Sequence, residues 1–157
     1  MIYIPRDASN ADVLNTIRTW VYVLSTENYE AVFSALGYLM RYETPGAECI
    51  QAEIKGYRSP EYFPDVTDFT VTNWRTANGG NPAPTAEVIW FKPNDTRLAG
   101  AVAFDLPLNG QWSDLQADFV FFDRGDPEGH VLRLEEIGSW KQRQREIDAL
   151  DESSSVE

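Results

Sequence analysis

Apolar residues recur along this chain with two different periods, and the change of period divides it into a helical part and a strand part. Val13, Leu14, Ile17, Trp20, Val21 and Leu24 follow helical spacing and predict an amphipathic helix. Ser9 with Asp12 three positions on forms a capping box, with Asp in place of the usual Glu. Ser25-Thr26-Glu27 interrupts the pattern and offers a fresh N-cap. Tyr29, Val32, Phe33, Leu36 and Met40 then repeat the stripe, so two tightly joined helices should lie side by side. Thr44-Pro45 places a hydroxyl before a proline whose missing N–H is harmless in a first turn. Ile50 and Ile54 share a face, and Gly56 is the expected stop of this third, shorter helix.

Past Tyr57 the prolines Pro60, Pro64, Pro82 and Pro84 and the run Asn78-Gly79-Gly80-Asn81 keep regular structure short, with one strand expected through Phe69–Trp74. Thr85–Phe91 is β-branched and aromatic enough for a strand, and Lys92-Pro93-Asn94-Asp95 is a turn. Ala99–Ile137 reads as three further strands. Asn109-Gly110 closes the first pair and Asp126-Pro127-Glu128-Gly129 the second, because these residues supply the backbone angles that turns require. The middle strand alternates strictly, with Leu115, Ala117, Phe119 and Phe121 on one face and Gln116, Asp118, Val120 and Phe122 on the other, which fixes its register. Asp105 followed by Pro107 predicts an edge or a bulge. Beyond Trp140, Lys141–Glu146 extends as a short helix, and Asp151–Glu157 is expected to be a solvated tail.

The pattern predicts an α+β fold: N-terminal helices on a curved, mostly antiparallel sheet of four or five strands, cone-like in outline. It forms one domain over residues 1–140, with 141–157 as a charged, partly disordered extension. In element order and length, residues 9–137 resemble the nuclear-transport-factor-2-like, or cystatin-like cone, fold. A closer likeness lies in Leu106-Pro107-Leu108, Gly110-Gln111-Trp112-Ser113-Asp114-Leu115, the hydrophobic strand after it and the closing Leu132–Ile137, preceded by the helix end Ile54-Lys55-Gly56-Tyr57. These segments are similar to an uncharacterised family of small acidic bacterial proteins. Proteins of this style include immunity proteins that act beside toxins, so the resemblance implies a binding role and carries over no catalytic residue.

Charge sharpens that expectation. Among 157 residues, 25 Asp and Glu outweigh 13 Lys and Arg, a formal net charge of -12 that phosphate backbones and anionic lipid surfaces repel. Nucleic acid and membrane are therefore not expected as partners, and without an export signal or a long apolar run the expected location is the cytoplasm. The single cysteine, Cys49, and the single histidine, His130, allow neither an internal disulfide nor a multi-residue His or Cys metal site, so no metal or cofactor is expected.

Candidate residues fall into two groups. Asp114, Asp118, Asp123, Asp126, Glu128, Glu135 and Glu136 concentrate in the strand region beside Trp112 and Phe122, which suits docking of a basic protein: charge steers the encounter and aromatic anchors hold it. Of these, Trp112, Asp114, Asp118, Phe122, Asp123, Asp126 and Glu135 are the expected partner-binding set. The second group is a pocket built from Trp20, Tyr57, Trp74 and His130, with Tyr29, Tyr38, Tyr42 and Tyr62 nearby, in which His130 and Asp105 or Asp114 transfer protons on a small apolar substrate of isomerase or dehydratase type. Each feature has a plainer structural reading. Aromatics at helical spacing are usually core, Cys49 is core filler, His130 beside a glycine turn is solvated, and Ser113-Asp114 bonds its own backbone. With no catalytic motif, a non-enzymatic acidic module that neutralises a basic toxin is the leading expectation. The small-molecule binder or enzyme is the alternative, and a homodimer through the sheet a third reading.

Overall fold

The computed structural model describes residues 1–36, 43–79 and 84–155; Tyr38, Met40, Tyr42, Gly80, Asn81 and Pro82 lie outside them. The fold is α+β, with element order β1 (Tyr3–Ile4), α1 (Asn10–Ser25), α2 (Tyr29–Leu36), α3 (Ala47–Lys55), β2 (Ala86–Trp90), β3 (Leu98–Leu108), β4 (Gln111–Phe122), β5 (His130–Gly138) and α4 (Trp140–Ser155). The strands form one antiparallel sheet in the order β1-β5-β4-β3-β2, curled into a half-barrel.

The capping box forms as its sequence requires: Ser9 Oγ accepts from Asp12 N–H and Asp12 Oδ2 from Ser9 N–H, each at 3.1 Å. The apolar stripe of α1, Val13, Ile17, Trp20, Val21 and Leu24, is buried. Trp20 meets Phe119 of β4 edge-on at 5.2 Å, and its indole N–H donates 3.1 Å to the Val32 carbonyl of α2, so one side chain ties two helices to the sheet. Phe104, Ala117, Phe119, Phe121, Leu132, Leu134 and Ile137 complete this core. A second aromatic group, Tyr57, Phe63 and Phe69, is arranged edge-on with centroids 5.0–6.2 Å apart.

Leu115, Ala117, Phe119 and Phe121 of β4 are buried in the core as the alternation predicts, and Val120 on the other face is buried as well. Asn109 and Gly110 take φ of 52° and 84° in the two-residue turn between β3 and β4, and the register slips between Asp105 and Pro107 as Asp105 followed by Pro107 predicts. The tip is clamped from outside the hairpin. Asn109 Oδ1 accepts from Thr70 N–H at 2.9 Å, and Gly110 N–H donates to Thr72 Oγ1 at 2.9 Å.

Several local expectations are corrected. The α2 cap is Asn28, whose Oδ1 accepts from Ala31 N–H at 3.2 Å, because Glu27 turns the chain with a positive φ of 62° and moves the helix start past Ser25-Thr26. Gly46, not Thr44, occupies the N-cap of α3, and the Thr44 carbonyl instead accepts from the Cys49 thiol at 3.3 Å. Phe69–Trp74 forms only one bridge, Val71 to Leu108, since its hydrogen bonds go to the hairpin tip instead of a continuous ladder. Tyr3–Ile4 contributes a strand, and Ile2 before it joins β5 to α2: Leu132 N–H donates to the Ile2 carbonyl at 3.0 Å and Ile2 N–H to the Ala35 carbonyl at 2.9 Å. In α4, helix runs on into Asp151–Ser155. Asp151 and Glu152 are solvated as expected yet helical, and Gln142–Glu146 and Gln144–Asp148 pairs support the exposed turns before them.

Gly129 holds a φ of 131°, and a Cβ there would stand 2.3 Å from the Ile4 carbonyl oxygen. Gly129→Ala should therefore cost about 2 kcal/mol or more by straining its own backbone and displacing β1. Thermal unfolding followed by circular dichroism measures it, and an unchanged midpoint would mean that β1 does not seat against this turn.

Candidate functional site

The sheet face opposite α1–α3 carries the acidic site. In β2 and β3, Glu87 opposes Ala103 and Ile89 opposes Ala101, so the small alanines leave a depression between flanking side chains. In β4 and β5, Asp118 opposes Glu136 and Phe119 opposes Leu134, which makes Glu135 the extra residue of a bulge and crowds two glutamates beside Asp118. Two shallow grooves result. One, of about 210 Å³, is lined by Glu87, Ile89, Ala101, Asp118, Glu135 and Glu136 among others. The other, of about 190 Å³, shares Asp118 and Glu136 and reaches Asp105, Asp114, Trp140 and Arg143. Helices α1–α3 contribute nothing to either lining. Ile89 and Trp140 stand 49% and 68% exposed at the margins, a large apolar presence for an outward face.

The carboxylates of this face are not equivalent. Asp105 is buried, accepting from Thr85 N–H at 2.7 Å and from Gln116 Nε2 at 3.2 Å, and burial raises its pKa. It sits at the β3–β4 register shift and holds the chain that enters β2. Asp114 accepts from the Tyr57 hydroxyl and, at 2.7 Å, from Ser139 Oγ; burial first, and this bond second, push the Tyr57 phenol well above its usual pKa. Glu136 takes an ion pair from Arg143 at 3.4 Å. Asp118 is different. No donor among the described residues reaches its carboxylate, and burial together with Glu136 and Glu135 pushes its pKa up to about 6, with Arg143 only partly offsetting them. Such a group can take up a proton near neutral pH or accept a cation brought to it.

The other expected partner residues separate from this centre. Asp123 and Asp126 lie in the β4–β5 connection, paired with Arg6 at 3.1 Å and Arg124 at 2.5 Å; the Gly125 N–H and then Arg6 hold the Asp123 carboxyl below the usual range, and Arg124 does so for Asp126. Phe122 is covered by Arg133, whose guanidinium sits 4.0 Å from the ring centroid. Trp112 packs against Phe104 at 6.1 Å, because the Asp105–Pro107 irregularity turns it away from the acidic grooves. Ser113 bonds as its plain reading expects, accepting from Leu115 N–H at 3.1 Å and donating to the Leu106 carbonyl at 2.7 Å. Glu87 escaped the sequence reading. Its alternation with Ala86 and Val88 was visible, but the pairing that brings it near Asp118 was not.

The expected pocket of Trp20, Tyr57, Trp74 and His130 is not assembled. Trp20 and Tyr57 are core residues, Trp74 lines a cavity beside α1, and His130 borders a separate one with Lys92, Arg97 and Asp123. His130 is buried where solvation was expected, with Nδ1 lacking a partner among the described residues, and that burial lowers its pKa. Gly138, not His130, lies opposite Gln116, so the histidine sits the length of β5 away, about 25 Å, from the Asp105 and Asp114 end. That separation keeps His130 from sharing a site with either Asp105 or Asp114. Among the described residues no cluster of His, Cys, Asp and Glu is placed to hold a metal ion, and no helix is long and apolar enough to cross a membrane.

Comparison with models of protein families, with characterised proteins and with solved structures finds no match to this chain.

The raised Asp118 pKa has a definite sign. The folded protein holds this proton more tightly than the unfolded chain, so ionised Asp118 costs stability above pH 6, and the cost fades as pH falls through 6 toward the usual carboxylate value. Asp118→Asn should stabilise the protein at neutral pH by about 1 kcal/mol, discounted for the water on its open side, with the gain vanishing near about pH 4. Urea unfolding of both proteins at the two pH values tests this; a loss of stability at neutral pH would contradict the unpaired carboxylate.

Proposed function

We propose that this chain is a non-enzymatic acidic binding module that covers the cationic surface of a basic protein, in the manner of an immunity protein neutralising a toxin in the cytoplasm. The observation that carries the reading is Asp118: a half-buried carboxylate among Glu87, Glu135 and Glu136, without a donor of its own among the described residues, on a sheet face left open by α1–α3. A Lys or Arg from a partner would supply the missing counter-charge and relieve the repulsion among the glutamates, so the interaction is stronger than an ordinary exposed ion pair. Ile89 and Trp140 offer the apolar anchors such an interface needs. The net charge of -12 speeds approach of a basic partner and opposes pairing of two copies through the same face.

The full chain, tagged and incubated at low and high salt with lysate of the cells that produce it, should retain a basic protein seen by native mass spectrometry and lose it at high salt. With that protein purified, Asp118→Lys with Glu135→Lys should slow association by about tenfold or more at low salt and by less at high salt, while Glu30→Lys on α2 leaves it near the parent rate. A neutral or acidic partner, or association indifferent to the charge reversals, would refute the acidic-face reading. A second copy of the chain as the only partner would replace it with a homodimer.

A further inference from the structure

Trp74 stands where two cavities meet. One, of about 620 Å³, is lined by Asn15, Arg18, Thr19, Tyr22, Asn73, Trp74 and Arg75. The other, of about 270 Å³, shares Arg18, Trp74 and Arg75 and is otherwise mainly apolar, with Pro84, Phe104 and Trp112 in its wall. The guanidinium groups of Arg18 and Arg75 lie 5.1 Å and 5.3 Å from the Trp74 ring. In a chain with 25 carboxylates against 13 Lys and Arg, neither cavity has an Asp or Glu in its lining, and neither arginine forms an ion pair among the described residues.

Local hydrogen bonds hold the Arg18 side chain and the backbone that carries Arg75 before any ligand arrives. Arg18 rides on α1 and donates to Asn15 Oδ1 at 3.3 Å; the Arg75 N–H donates to Asn73 Oδ1 at 2.9 Å, fixing the turn that carries it. A guanidinium beside an indole is drawn to the ring by its charge and keeps N–H groups for an acceptor, and those groups match the two oxygens of a carboxylate or phosphate. Cationic edges beside an apolar wall define the ligand's two ends. We propose that these joined cavities bind a small organic anion, with a carboxylate or phosphate head at Arg18 and Arg75 and a flat apolar body against Trp112 and Phe104. The site is independent of the acidic face.

Isothermal titration of the full chain with naphthoate, naphthyl phosphate and the neutral naphthamide tests the proposal. At least one anion should bind, the amide about tenfold or more weaker, and the tighter anion identifies the head group. Arg18→Gln with Arg75→Gln should abolish the preference for the anion, Trp112→Ala should weaken anion and amide together, and Asp118→Asn should change neither. Should the double variant fail to fold by circular dichroism, Arg75→Gln alone, at an exposed position, serves instead. Equal binding of amide and anions, anion binding that survives loss of the arginine charge, or no binding at millimolar probe overturns the proposal.

Discussion

Burial of one face of β4 is the constraint from which the remaining structure follows. Ala117, Phe119 and Phe121 stay out of water only if something covers them, and the stripe of α1 does so, with Trp20 edge-on against Phe119. Trp20 then reaches the Val32 carbonyl, which sets α2 beside α1, while β1 links the end of α2 to β5. Because side chains alternate across a strand, committing Phe119 to the core commits Asp118 to the opposite face. The acidic site is thus a geometric consequence of the core.

What makes that face more than a solvated surface is the way its charges are distributed among partners. Asp105 and Asp114 are satisfied by Thr85, Gln116, Tyr57 and Ser139, and they hold the bulge and the end of β5 in place. Asp123 and Asp126 are neutralised by Arg6 and Arg124 at the far turn. Asp118 is left among glutamates in a setting dry enough to resist ionisation. The arginines near Trp74 mirror this: cations without an ion-pair partner among the described residues, in a protein that has a large excess of carboxylates. The two unbalanced places lie on different sides of the sheet and call for ligands of opposite charge.

Much of the fold was legible in local pattern. The capping box, the Asn109-Gly110 turn, the bulge at Asp105-Pro107 and the period of β4 each follow from the chemistry of a few neighbouring residues. Where local signals failed, a distant segment competed for the same groups. Phe69–Trp74 looked like a strand, but its polar atoms serve the hairpin tip about forty residues on. Of the residues expected to bind a partner, Asp118 and Glu135 gather at the groove with Glu87 and Glu136 and Asp114 lines the adjoining one, while Trp112 turned to the other side with the bulge.

The amino-acid sequence by itself determined α1, α3, the long strands, the face that β4 buries and the excess of negative charge, because periodicity, capping and composition are properties of neighbouring residues. Only the tertiary structure decided which charges remain without a partner. Arg6 meets Asp123 and Tyr57 meets Asp114 across most or much of the chain, and no spacing in the sequence encodes such meetings. Whether a carboxylate is quiet or poised depends on who arrives beside it in three dimensions, and on how much water is left when they do.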